Sequence, residues 1–178
     1  MVQTPERFTD MLTGGHPNSL GRTEEVVALI EGDPTRLAEL YECYQSDDAV
    51  VRLRVSNAFK RLCKSHPEWL VPYLDRFINE LSELDQPSAQ WTLAQLLGML
   101  ASRMTPVQHT AAVTVMRRNL EHCSDWIVLS QTAGVLAEWA QHDPMMKRWL
   151  EPQLVRLSRD SRRSVAGKAR KSLAILKQ

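Results

Sequence analysis

Four twelve-residue segments of this chain align without gaps: VRLRVSNAFKRL from Val51, AQWTLAQLLGML from Ala89, VLSQTAGVLAEW from Val128 and VAGKARKSLAIL from Val165. Their starts lie 38, 39 and 37 residues apart. A period of this size marks a stack of supersecondary units, none of which can bury its apolar face alone. Offsets 0, 4, 7, 8 and 11 of each segment fall on one side of a 3.6-residue helix and predict a single buried stripe. The stripe reads Val51, Val55, Ala58, Phe59, Leu62; Ala89, Leu93, Leu96, Leu97, Leu100; Val128, Thr132, Val135, Leu136, Trp139; Val165, Ala169, Ser172, Leu173, Leu176. Only Thr132 and Ser172 interrupt its apolar character, and both are small.

A second helix precedes each of these, opened by Pro34, Pro67, Pro106 or Pro144, because proline is tolerated in a first turn and costs a hydrogen bond further inside. EWLVPYLDRF from Glu68 matches RWLEPQLVRL from Arg148 at Trp69/Trp149, Leu70/Leu150, Pro72/Pro152, Leu74/Leu154 and Arg76/Arg156. Pro72 and Pro152 therefore predict a kinked first helix.

A helix pair of this length, with proline in the first helix and a V-R-x-x-A-A-x-A-L-G-x-L-like second, resembles the HEAT repeat family. Val51 and Arg52 reproduce its Val-Arg and Gly98 its glycine, while Gln90, Leu129 and Ala166 replace the arginine in later units. The resemblance implies an all-α, right-handed α-solenoid with first helices on the convex side and second helices on the concave side. Four repeats are expected, at about 34–65, 66–104, 105–142 and 143–178, forming one continuous domain. TEEVVALIEGDP, with Thr23 as its cap, reads as a shortened leading unit, and a short helix after Pro5 precedes the loop GGHPNSLG. Residues 1–33 thus form a helical cap, as open stacks require.

Charge runs along the repeat. Residues 1–50 hold three basic and ten acidic residues, residues 51–143 nine of each, and residues 144–178 ten basic and two acidic. If sequence order becomes spatial order, an acidic end and a basic end result, and neighbouring molecules could attract head to tail.

Offsets 3, 6 and 13 of the second helices turn away from the stripe and, if the family orientation holds, line the concave groove. They are Arg54, Asn57, Lys64; Thr92, Gln95, Ser102; Gln131, Gly134, Gln141; Lys168, Lys171, Gln178. No acid occurs among them, so the groove suits an acidic or phosphorylated protein segment, or a nucleic-acid backbone. Arg162, Arg163 and Arg170 extend the basic surface. Glu138 is the one acid near the inferred groove.

No catalytic constellation emerges. Cys63 with His66 and His122 with Cys123 lack a four-ligand pattern, so no metal is expected. Gly14, Gly15 and Gly21 do not make a phosphate loop, and no cofactor is expected. Three cysteines (Cys43, Cys63, Cys123), no signal sequence and no long apolar run point to a cytoplasmic protein without a membrane span. Of the five tryptophans, Trp69, Trp139 and Trp149 occupy packing slots; Trp91 and Trp126 lie near the starts of second helices. The sequence reads as a non-catalytic scaffold or adaptor for an anionic protein partner. The alternative is a DNA-binding or DNA-repair protein resembling the HEAT-like alkylpurine DNA glycosylases, although no residue here aligns with their catalytic motif.

Overall fold

Proline and acidic caps divide the chain into short helices, as seen in the computed structural model, which describes residues 5–177. In chain order these are α1 (Phe8–Leu12), α2 (Thr23–Gly32), α3 (Leu37–Glu42), α4 (Ala49–Ser65), α5 (Pro67–Leu70), α6 (Leu74–Asn79), α7 (Pro87–Leu100), α8 (Pro106–His122), α9 (Trp126–Ala140), α10 (Pro144–Leu157) and α11 (Arg163–Leu176). The described residues include no strand. Asp48, Asp125 and Asp143 accept from first-turn amides of α4, α9 and α10, while Thr105 and Gln108 cap each other at α8. Thr23 is not the cap the sequence suggested. It is the first helical residue of α2, buried, with its hydroxyl donating to the Leu20 carbonyl.

The two matched prolines act differently. Pro72 lies in a 3-10 turn, Val71–Tyr73, that interrupts the first helix, whereas Pro152 is accommodated inside α10 without a break. Both Pro152 and Arg148, whose carbonyl the proline leaves without its helical donor, are exposed, so water can serve that carbonyl.

The chain forms two compact units, Met1–Tyr73 and Leu74–Gln178. In the first, α4 packs against α1, α2 and α5. Its core holds Phe8, Leu12, Ile30, Leu40, Phe59 and Leu62, each fully buried. Tyr41, Tyr44, Phe59 and Tyr73 form a ring cluster with centroids 5.6–6.3 Å apart. The buried Tyr44 hydroxyl, whose pKa burial pushes well up, shares a hydrogen bond with Ser56 at 3.1 Å.

In the second unit α7, α9 and α11 lie side by side, with α8 and α10 packed on them. The stripe read from the repeat is buried in all four second helices, apart from the half-buried Val135, Trp139 and Leu173. Truncating one of its fully buried leucines, such as Leu97 or Leu136, would cost about 2–5 kcal/mol.

Polar side chains close the ends of the repeats in a regular way. At offset 1, the Arg52 guanidinium donates to the Ser46 carbonyl and the Gln90 amide to the Leu84 carbonyl, each six residues upstream. That shared task explains how glutamine can stand where the first repeat has arginine. On the first helices, Arg118 donates to the Ser82 carbonyl and Arg156 to the Leu120 carbonyl, each 36 residues back. Consecutive hairpins of the second unit are thereby tied by charge-assisted bonds as well as by apolar packing.

Candidate functional site

Four residues share offset 3 of the second helices: Arg54, Thr92, Gln131 and Lys168. Their exposures differ. Arg54 is 1% exposed and Thr92 fully buried, whereas Gln131 and Lys168 are half-buried. Arg54 does not line an open groove, and this corrects the sequence reading. Its guanidinium donates to the carbonyls of Leu12 and Gly14 at 2.6 Å, of Ser19 at 3.1 Å and of His16 at 3.2 Å. The loop GGHPNSLG wraps around this side chain. Gly21, at φ +53°, leaves the space: a Cβ there would lie 2.8 Å from the Arg54 guanidinium carbon. Arg54 thus holds the N-terminal loop and is not offered to a ligand. Thr92 is likewise corrected, being inside the second unit with its hydroxyl unpartnered among the described residues.

Of the remaining expected groove residues in the first unit, Asn57 is half-buried and returns its amide to the Leu53 carbonyl at 3.1 Å, while Lys64 is exposed. In the second unit Gln95 is half-buried, with its side-chain oxygen buried and unpartnered among the described residues. Ser102 and Gln141 are exposed. Gln178 lies outside the described residues.

Two of the expected residues meet directly. The Lys168 side chain crosses from α11 onto α9, where its Cε would lie 2.6 Å from a Cβ built at Gly134. The missing side chain of Gly134 makes room for it. Lys171, one turn further along α11, is exposed, and neither lysine has an ion-pair partner among the described residues. α9 and α11 therefore carry the half-buried Lys168 and the exposed Lys171, with the half-buried Gln131 one turn before Gly134 on α9. Glu138 is exposed on α9.

The basic cluster divides into different roles. Arg162 grips Asp160 at 2.7 Å and donates to the Ser124 carbonyl, fastening the turn before α11 to the turn between α8 and α9. The side-chain and backbone hydrogen bonds from Arg162 pull the Asp160 carboxyl down to about 2. Arg170 donates to the Ser158 carbonyl at 3.2 Å, and Arg163 is exposed. Arg162 is primarily a structural tie, which its position in a basic run concealed.

The histidines and tryptophans are mostly engaged locally. His66 stacks on Trp69 with centroids 3.8 Å apart and lies 3.7 Å from both Glu31 and Glu68. Arg117 covers Trp149 at 4.1 Å, and His109 meets Trp139 at 4.8 Å. Trp91 is half-buried, while Trp126 is 48% exposed. Among the described residues no three His, Cys, Asp or Glu side chains gather as metal ligands, and no helix is long and apolar enough to cross a membrane.

A family model described as a HEAT repeat domain matches residues 11–124. Among solved structures, the crystal structure of an engineered protein is similar, with a TM-score of 0.64 and 17% identity over 96% of this chain and 79% of that one. No curated protein matches this chain.

Proposed function

From the premise that this chain belongs to the HEAT repeat family, we propose that it is a non-catalytic adaptor whose second unit binds an acidic or phosphorylated protein segment. The binding face runs over α7, α9 and α11. Gln95 and Gln131 offer amide hydrogen bonds, and Lys168 and Lys171 offer charge. One observation carries the reading: Lys168 is laid across Gly134 of the neighbouring helix and has no ion-pair partner among the described residues. The missing side chain at Gly134 lets the ammonium end of Lys168 lie across α9, where an anion can pair with it. Repeat scaffolds present preformed surfaces of this kind.

On the first unit, Asn57 and Lys64 of α4 are proposed as separate contacts, and on the second Arg170 is a proposed supporting contact. We place the protein in the cytoplasm, since Cys43, Cys63 and Cys123 form no disulfide among the described residues.

The test is fluorescence anisotropy with two labelled probes, a peptide of glutamate and phosphoserine and a duplex DNA. The proposal expects peptide binding that Lys168→Glu with Lys171→Glu weakens about tenfold or more, with unchanged circular dichroism. Unchanged peptide affinity would reject this face. Tighter binding of duplex DNA, with a steep log–log salt slope, would replace the protein-segment reading with the nucleic-acid one.

A further inference from the structure

Second helices lie side by side within each unit: α2 against α4 in the first, α7 against α9 and α9 against α11 in the second. α2 and α11 each leave one side exposed. These two sides carry opposite charge. On α2, Glu24, Glu25, Ala28, Leu29, Glu31 and Gly32 are exposed, and the helix contains no basic residue. On α11, Arg163, Arg170, Lys171 and Ala174 are exposed, as is Lys177 at its C-terminal cap, and the helix contains no acid. Each face also carries small residues among its charges. A Cβ built at Gly32 or at Gly167 would meet nothing within 4 Å, so another helix can approach closely at both positions. Leu29, 39% exposed on α2, supplies an apolar contact for such a neighbour.

We propose that α11 of one copy of this chain docks beside α2 of the next. The contact would repeat between copies the side-by-side order of second helices seen within each unit, with the cations of α11 facing the carboxylates of α2. It joins two different surfaces, so it is heterologous and can propagate. The complementary faces select a second copy as the occupant, because a single molecule carries both. The acids of α2 have local partners: Glu24 lies 3.5 Å from Arg61, Glu25 2.7 Å from Arg22 and Glu31 3.7 Å from His66. These are surface pairs with water-facing carboxylates, which additional cations can share. Arg170 donates through one nitrogen to Ser158, which leaves its other donors for the neighbour.

Sedimentation of the full chain across a concentration series tests this. At low salt the weight-average mass should rise above that of one chain with concentration, and at about 0.5 M salt it should fall back as the charges are screened. Arg163→Glu with Lys177→Glu, and separately Glu24→Lys with Glu31→Lys, should each give a folded monomer by circular dichroism. Mixing the two variants should restore association, since each supplies the face the other now needs. A monomer at every concentration in low salt would overturn the proposal. So would folded variants whose mixture fails to associate, or association that survives reversal of α2 but not of α11. None of these substitutions touches Lys168 or Lys171, so the outcome is independent of the peptide-binding face.

Discussion

Replacing Arg54 by methionine removes a guanidinium held by four loop carbonyls while keeping most of the stem's packing. Charge-assisted bonds contribute about 1.5–3 kcal/mol each, which sets a gross loss near 6–12 kcal/mol for the four. Two effects oppose that loss. A buried charge costs several kcal/mol to desolvate, and the carbonyls of the exposed residues Gly14, His16 and Ser19 can return to water. A net destabilisation of about 3 kcal/mol remains, or a fall in melting temperature of about 6–12 °C for a chain of this size. Hydrogen exchange gives the more specific readout. Amides of residues 13–22 should exchange much faster in Arg54→Met, while those of α9 and α11 keep their protection. Arg54→Lys should be intermediate, because one ammonium cannot span four carbonyls. Unchanged melting together with unchanged loop exchange would refute the view that Arg54 organises this loop.

The remaining predictions use other local features. Gly98→Ala should destabilise by about 1–3 kcal/mol, since a Cβ there would lie 2.9 Å from Val135, a stiff side chain on the packed face of α9. Gly134→Ala should instead stabilise by about 0.5–1 kcal/mol, because it meets only the movable end of Lys168 and alanine is the better helix former; thermal melts of both variants check the contrast. Asp160, held near 2 in the folded chain, supports folding above its ordinary carboxylate range and loses that contribution as pH falls through about 4 toward 2. An NMR titration should show its midpoint return toward 4 in Arg162→Ala; an unmoved midpoint would refute the pairing. Cys43, pushed up to about 11 mainly by burial, should resist alkylation at pH 8 while half-buried Cys123 reacts first, as peptide mapping would show.

The repeat register was legible because burial of a helix stripe depends on spacing alone. Val51 through Leu62 and Ala89 through Leu100 face inward as their offsets require. The open surface was less legible, because it depends on what lies on top of a helix. Offset 3 pointed away from the stripe, yet residues some 35–42 positions upstream cover Arg54. One signal was present: a loop with three glycines exposes backbone carbonyls that need donors, and a nearby lone arginine can supply them. All three glycines adopt positive φ. Offset 3 is better described as the flank of the seam between neighbouring helices, which is why Lys168 reaches across to Gly134. Offset 13 is the exposed row, at Lys64, Ser102 and Gln141. The role of Arg162 was hidden for a related reason: a run of basic residues does not reveal which member is tied to Asp160 and Ser124.

The central functional claim is that the α9–α11 surface receives an anionic protein segment. Amide chemical-shift mapping during titration with the glutamate–phosphoserine peptide tests it most directly. The account predicts shifts centred on Gln131, Gly134, Lys168 and Lys171 that vanish when both lysines are reversed. Shifts confined to Trp126, Arg162 and Arg163, or a spectrum that does not change, would contradict it.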